Sequence, residues 1–182
     1  KAIAKVAQQI IGGGVDLMSN NQKDGGNSDY PNYPKPVITQ YANPEKELEG
    51  ILTRIQMEDL DDVAILVPSD KEVMMVNDYL AKHGIKTQVM YRTGNTVPFR
   101  TVNTLDFSNN DLPCILTYYA AKGSEFDNVF VPFANTSNDC SRNSFYVACT
   151  RSSRSLYISF SGTKTKYLSD VNSDFITELK AA

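Results

Sequence analysis

Residues 117–129 read Thr-Tyr-Tyr-Ala-Ala-Lys-Gly-Ser-Glu-Phe-Asp-Asn-Val, and residues 144–156 carry the run Phe-Tyr-Val-Ala-Cys-Thr-Arg that ends at Arg151. Apolar runs of strand length adjoin both stretches, so strands are expected near residues 114–117, 128–131 and 155–160. Between them lie a cation, Lys122, a conformationally free residue, Gly123, and a carboxylate, Glu125. A carboxylate accepts hydrogen bonds from adjacent hydroxyls, glycine lets backbone come close to a ligand, and an arginine fork matches phosphate oxygens. Each also has a plainer reading. Glu125 suits a first-turn helix acid, Arg151 a surface residue at a helix end, and Lys122 a solvated or paired cation, while Tyr118 and Tyr119 suit half-buried strand positions.

Working outward, residues 1–11 place Ile3, Val6, Ala7, Ile10 and Ile11 on one helical face, and the Gly12–Gly14 triplet reads as a stop. Residues 19–36 are rich in Asn, Gly, Asp and Pro, the composition of a flexible loop. A strand is expected at 37–41. Asn43 then caps a helix opened by Pro44, with Leu48, Ile51, Leu52 and Ile55 as its apolar stripe. Residues 63–67 form a continuous apolar run, as in a strand buried on both faces. Ser69 and Glu72 make a capping box for a helix bearing Val73, Val76 and Leu80, which Gly84 stops. A strand at 87–91 and a Pro- and Asn-containing stretch at 93–113 follow. Strand and helix alternate, which predicts an α/β fold: a mostly parallel sheet with helices on both faces. The whole reads as one domain, with an N-terminal helix at 1–18, the loop at 19–36, a core at 37–168, and a tail or helix at 169–182.

A chain of 182 residues buries roughly 70% of its unfolded surface, enough for a true core. A net charge of −3 excludes a surface that grips phosphates over its whole area, so any nucleic-acid contact must be local. No apolar run approaches the roughly 20 residues that span a bilayer, and no secretory signal is apparent. Three cysteines, Cys114, Cys140 and Cys149, lack metal-ligand spacing; reduced thiols in a cytoplasmic protein, with no metal site, are expected. Asp59, Asp61 and Asp62 precede a strand instead of ending one and read as a solvated turn. His83, before Gly84, reads as a surface histidine in a last helical turn.

The first quoted stretch resembles motif V of the UvrD/Rep/PcrA type of superfamily 1 DNA helicases, Thr-x-His-x-x-Lys-Gly-Leu-Glu-Phe/Trp followed by a strand. The second resembles motif VI, Tyr-Val-Ala/Gly-x-Thr-Arg. Such helicases hydrolyse ATP between two RecA-like domains, the first of which supplies a Gly-x-x-x-x-Gly-Lys-Ser/Thr loop. No such loop occurs here, so the resemblance implies the second RecA-like domain alone, of the P-loop NTPase fold, cut from a longer parent. It further implies that the first helix follows an Asn-Tyr-Arg-Ser/Thr motif lost upstream. The large subdomain that UvrD and PcrA insert before motif V has only about twenty residues, 92–113, in its place. Departures are Tyr119 for His, Ser124 for Leu, Asn143 and Ser144 for Arg-Leu, and Ser152 for Ala. Pro68 and Ser69 stand where relatives often place an Arg- or Thr-rich turn on DNA, which leaves a DNA contact there open.

By this resemblance Arg151 reaches the terminal phosphate of ATP, Glu125 and Gly123 approach the nucleotide, and Thr117, Tyr119 and Lys122 face single-stranded DNA. The implied ligand is ATP with Mg2+, the metal being held by the missing N-terminal RecA-like domain, which is also the implied partner; no membrane partner is implied. Arg151→Ala is then expected to abolish ATP hydrolysis in the parent with little loss of folding, and the fragment alone is expected to be inactive. Two other possibilities stay open, a degenerate helicase half that binds without turnover and an unrelated α/β nucleotide-binding domain. The last would lack Glu125 and Arg151 at one sheet edge.

Overall fold

Five consecutive apolar residues make β2 (Val63–Val67) the centre of the molecule, and all five are buried. Successive strand side chains point to opposite faces. Ala64 and Leu66 therefore enter one apolar cluster with Val6, Ile10, Phe145 and Ile158, whereas Ile65 and Val67 enter another with Leu48, Ile51, Val73 and Leu80. A strand covered on both sides needs no polar alternation.

The computed structural model describes residues 2–12, 34–94, 100–136 and 140–181. Around β2 stand β1 (Val37–Tyr41), β3 (Gln88–Thr93), β4 (Arg100–Asn103), β5 (Cys114–Thr117), β6 (Phe126–Val131), β7 (Ser152–Ser161) and β8 (Thr177–Lys180). The sheet order is β4-β3-β5-β2-β6-β7-β1-β8, and every pairing is parallel except β3 with β4. Helices α1 (Ala2–Ile11) and α4 (Arg142–Cys149) supply residues to the first cluster, and α2 (Pro44–Glu58) and α3 (Asp70–Lys82) to the second.

Local chemistry explains the boundaries. Asn43 Oδ1 accepts from the Lys46 N–H at 2.9 Å and Pro44 opens α2. Ser69 Oγ accepts from the Lys71 N–H at 3.2 Å and donates to the Glu72 carboxylate, so two polar groups at the start of α3 are satisfied. Gly12 ends α1 at a φ of +89°, which L side chains rarely adopt. His83 caps α3, exposed, with Nδ1 at 2.8 Å from the Tyr79 carbonyl.

Several expectations need correction. The 93–113 stretch, for which no strand is expected, contains β4, whose register sets Met90 against Asn103 and Thr93 against Arg100. Buried Gln88 holds the return path, donating to Asn109 O at 2.7 Å and accepting from the Asp106 N–H at 2.5 Å. Among the described residues the C-terminal region holds no α-helix; two 3-10 turns lead into β8, which pairs with β1. Asp59 and Asp61 are exposed as a solvated turn should be, but half-buried Asp62 accepts from the Asp127 N–H at 2.8 Å and ties this turn to β6. The 19–36 loop lies outside the described residues except for 34–36.

Cys114 and Cys149 are buried and unbridged, and Cys140 is half-buried. Burial, with the charge of Asp62 adding, pushes the Cys114 thiol up to about 11, and burial raises that of Cys149 further. Both are inert structural thiols at neutral pH.

Glu47 is a fully buried carboxylate on α2. Its Oε2 accepts from the Phe133 N–H at 2.8 Å and from Ser159 Oγ at 2.8 Å. Phe133 has φ of +59°, a left-handed conformation that costs a non-glycine residue roughly 1–2 kcal/mol. The carboxylate thus fixes the turn that leaves β6.

Candidate functional site

The connector between β5 and β6, residues 118–125, runs between opposite ends of the sheet. Thr117 ends β5 level with Val67, the last residue of β2, whereas Phe126 begins β6 two residues before the Asn128–Val63 pair. The connector is wound tightly: Thr117 O accepts from the Ala121 N–H at 3.1 Å, Tyr119 O from Lys122 at 3.2 Å, and Ala121 O from Ser124 at 3.1 Å. Thr117 Oγ1 accepts from the Ala120 N–H at 3.1 Å and pins its first turn. Tyr118 and Tyr119 part company here. Tyr118 is buried edge-on to Phe145 of α4, with ring centroids 6.3 Å apart, and burial raises its phenol well above the usual range. Tyr119 is 79% exposed. Neither is a half-buried strand residue.

At the strand C-terminal ends, Thr117, Tyr119 and Lys122 line a groove of about 690 Å³. Pro68, Ser69 and Asp70 line it as well, and so do Tyr91, Arg92 and Thr101 of the β3–β4 hairpin. The motif reading missed those hairpin residues, because they belong to no motif. Only the pairing of β4 with β3 brings them to the groove.

At the opposite end of the sheet, Glu125 directly precedes β6 and Arg151 directly precedes β7, with Gly123 earlier in the connector, next to Lys122. Gly123 has φ of +90°, which demands glycine, and a Cβ there would meet nothing within 4 Å. The backbone beside it is open to a ligand. Glu125 is exposed. Arg151, half-buried, lies just beyond α4 and donates from Nε to Val147 O at 3.1 Å, from Nη1 to Ser124 O at 3.0 Å and from Nη2 to Thr150 Oγ1 at 3.1 Å. The Phe126 N–H in turn donates to Arg151 O at 2.9 Å. The guanidinium therefore closes the end of α4 and clamps the two sequence stretches together. A guanidinium carries five N–H donors, so each terminal nitrogen keeps a second N–H for a bidentate acceptor.

Chemically these residues offer a carboxylate that accepts from hydroxyls, open backbone at Gly123, and an arginine fork. Among the described residues no three His, Cys, Asp or Glu side chains converge on a metal position. Among the described residues, no helix is long and apolar enough to cross a membrane.

Residues 113–159 match the family model of the UvrD-like helicase C-terminal domain. Among solved structures, the chain is similar to the C-terminal domain of a possible DNA helicase from Lactobacillus plantarum WCFS1, at 20% identity and a TM-score of 0.67, covering 98% of this chain and 95% of that one. It is also similar to the Escherichia coli DEAD-box protein SrmB, at 15% identity and 0.53, over 81% of this chain and 89% of that one. An arterivirus nonstructural protein 10 helicase, solved with DNA, gives 9% and 0.57 over 99% of this chain and 37% of that one. At these identities the likeness is one of fold. No curated protein matches the sequence. The chain thus has a RecA-like α/β fold, and its segment 113–159 matches the UvrD-like helicase C-terminal domain.

Proposed function

We propose that this domain is the C-terminal half of an ATP-dependent DNA helicase motor, completing an ATP site with Gly123, Glu125 and Arg151 and holding single-stranded DNA with Thr117, Tyr119 and Lys122. The observation that carries the reading is the course of residues 118–125. One wound connector has the groove at its start and, at its end, the carbonyl of Ser124 bonded to Arg151. A shift of Arg151 on nucleotide binding or release pulls directly on that connector, and so on the groove. The N-terminal RecA-like domain is the partner in this reading. It supplies the phosphate loop and the ligands for Mg2+, which supplies charge neutralisation at the phosphates.

Within the half-site each residue has a definite task. Glu125 accepts hydrogen bonds from the sugar hydroxyls. The remaining N–H groups of Arg151 point charge at the terminal phosphate, where negative charge spreads during transfer. Tyr119 offers an exposed ring on which a base stacks without sequence preference, and Lys122 meets a phosphate.

The test is ATP hydrolysis by the full-length protein titrated with single-stranded DNA. Tyr119→Ala is expected to raise the DNA concentration for half-maximal stimulation about 5- to 150-fold, the loss of one stacked base. The fold should be unchanged, since the ring is exposed. Stimulation at unaltered DNA concentrations would remove Tyr119 from the interface. A wild-type protein that binds DNA without hydrolysing ATP would favour a binding module that has lost turnover.

A further inference from the structure

We infer that the β3–β4 hairpin is the second wall of the groove and that Arg92 is a phosphate-contacting residue for a single strand lying in it, an inference that rests on the reading of Tyr119 and Lys122 above. The groove is built by divergence. β3 pairs with β5 only through Gln88 and Val89; from Met90 onward its registered partner is β4. The hairpin therefore leaves the main sheet beside Thr117, and the space between hairpin and connector is the groove of about 690 Å³.

Charge is distributed to suit a polyanion. Arg92 and Lys122 line the groove, both exposed. Among the described residues no side-chain hydrogen bond or ion pair engages either of them, whereas Lys46, Arg54 and Lys164 each hold a carboxylate. Among the described lining residues the one carboxylate is Asp70, so these residues are net cationic on a chain whose formal charge is −3. Thr101 adds a hydroxyl of the kind that hydrogen-bonds phosphate oxygens. Cations on two walls, with the exposed Tyr119 ring at hand, match a backbone held by its phosphates with bases stacked beside it. A closed duplex offers no such free base face.

The experiment is fluorescence anisotropy of a labelled oligo-deoxythymidine with the full-length protein, repeated over a range of salt concentrations. Variants are Arg92→Ala, Arg92→Lys, Lys122→Ala, Tyr119→Ala and, as a control outside the groove, Lys82→Ala. Each phosphate contact on a single strand contributes a slope of about 0.7 in log affinity against log salt. Arg92→Ala is therefore expected to lower that slope by about 0.7 and to weaken binding about fivefold at 0.1 M salt, with an unchanged melting temperature. Arg92→Lys should restore the slope, because the contact is one of charge, and Lys82→Ala should match the wild type. If Lys122→Ala and Tyr119→Ala weaken binding while Arg92→Ala keeps the wild-type slope, the hairpin wall is wrong and the motif-based interface stands. If none of the groove variants weakens binding, the interface reading itself fails, and this inference with it.

Discussion

Arg151→Ala is expected to lower single-stranded-DNA-stimulated ATP hydrolysis by the full-length protein at least about 10³-fold, the lower end of what an arginine at a transferring phosphoryl group contributes. The structure adds a second consequence. The guanidinium holds Val147 O, Ser124 O and Thr150 Oγ1, and a truncated side chain leaves all three without that donor. A cost of about 1–3 kcal/mol in stability is expected for this half-buried set, in contrast to the little loss that the motif alone implies. The two effects separate cleanly. Hydrolysis measured well below the melting temperature of the variant reports on chemistry, and a thermal melt reports on the clamp. Arg151→Lys sharpens the distinction, since it keeps a charge but cannot reproduce a planar fork. It should recover part of the melting temperature and little of the rate. Normal hydrolysis by folded Arg151→Ala would sink the phosphate role and leave only the clamp.

Glu47 variants are expected to give the other large effect. Glu47→Ala removes the buried carboxylate that accepts from the Phe133 N–H and helps hold that residue in its left-handed conformation, so a loss of about 2–4 kcal/mol is expected. Glu47→Gln can accept the same two hydrogen bonds without a buried charge, and its stability should equal or exceed that of the wild type at pH 7. The sign of the pH dependence follows from the direction of the shift. Burial raises the Glu47 carboxyl above its ordinary 4.5, against the opposing hydrogen bonds of Phe133, Ser159 and Ser161. The folded state therefore holds its proton more tightly than the unfolded chain does, and the associated stability is complete below about 4.5 and lost as pH rises through the folded value. Melting temperatures of wild type and Glu47→Gln, taken from pH 5 to pH 8, should diverge in favour of the glutamine variant as pH rises. A constant difference across that range would mean that the carboxylate does not titrate in the folded protein within it.

In the proposed motor, residues 118–125 would link the two ligands. Arg151 touches the connector through Ser124, and buried Tyr118 touches α4 through Phe145. Two independent contacts, one polar and one aromatic, thus bind residues 118–125 to the helix that precedes Arg151.

By itself, the sequence determined the layered α/β plan, the interior strands, the caps of α2 and α3, and the two stretches that carry the candidate chemistry. Those features are legible because burial on both faces writes a continuous apolar run at 63–67, and because cap and motif residues act over three or four positions. The tertiary structure alone decided the rest. Thr177–Lys180 is exposed at all four positions, and Arg100–Asn103 at three of four, so neither strand carries the apolar alternation that betrays a half-buried element. They are strands because β1 and β3 offer them backbone partners, and such pairing leaves no local signature. The same cause hid Arg92 and Thr101 from the motif reading. It likewise hid the clamp at Arg151, whose partner Ser124 lies 27 residues away and is reached only once β6 and β7 lie side by side.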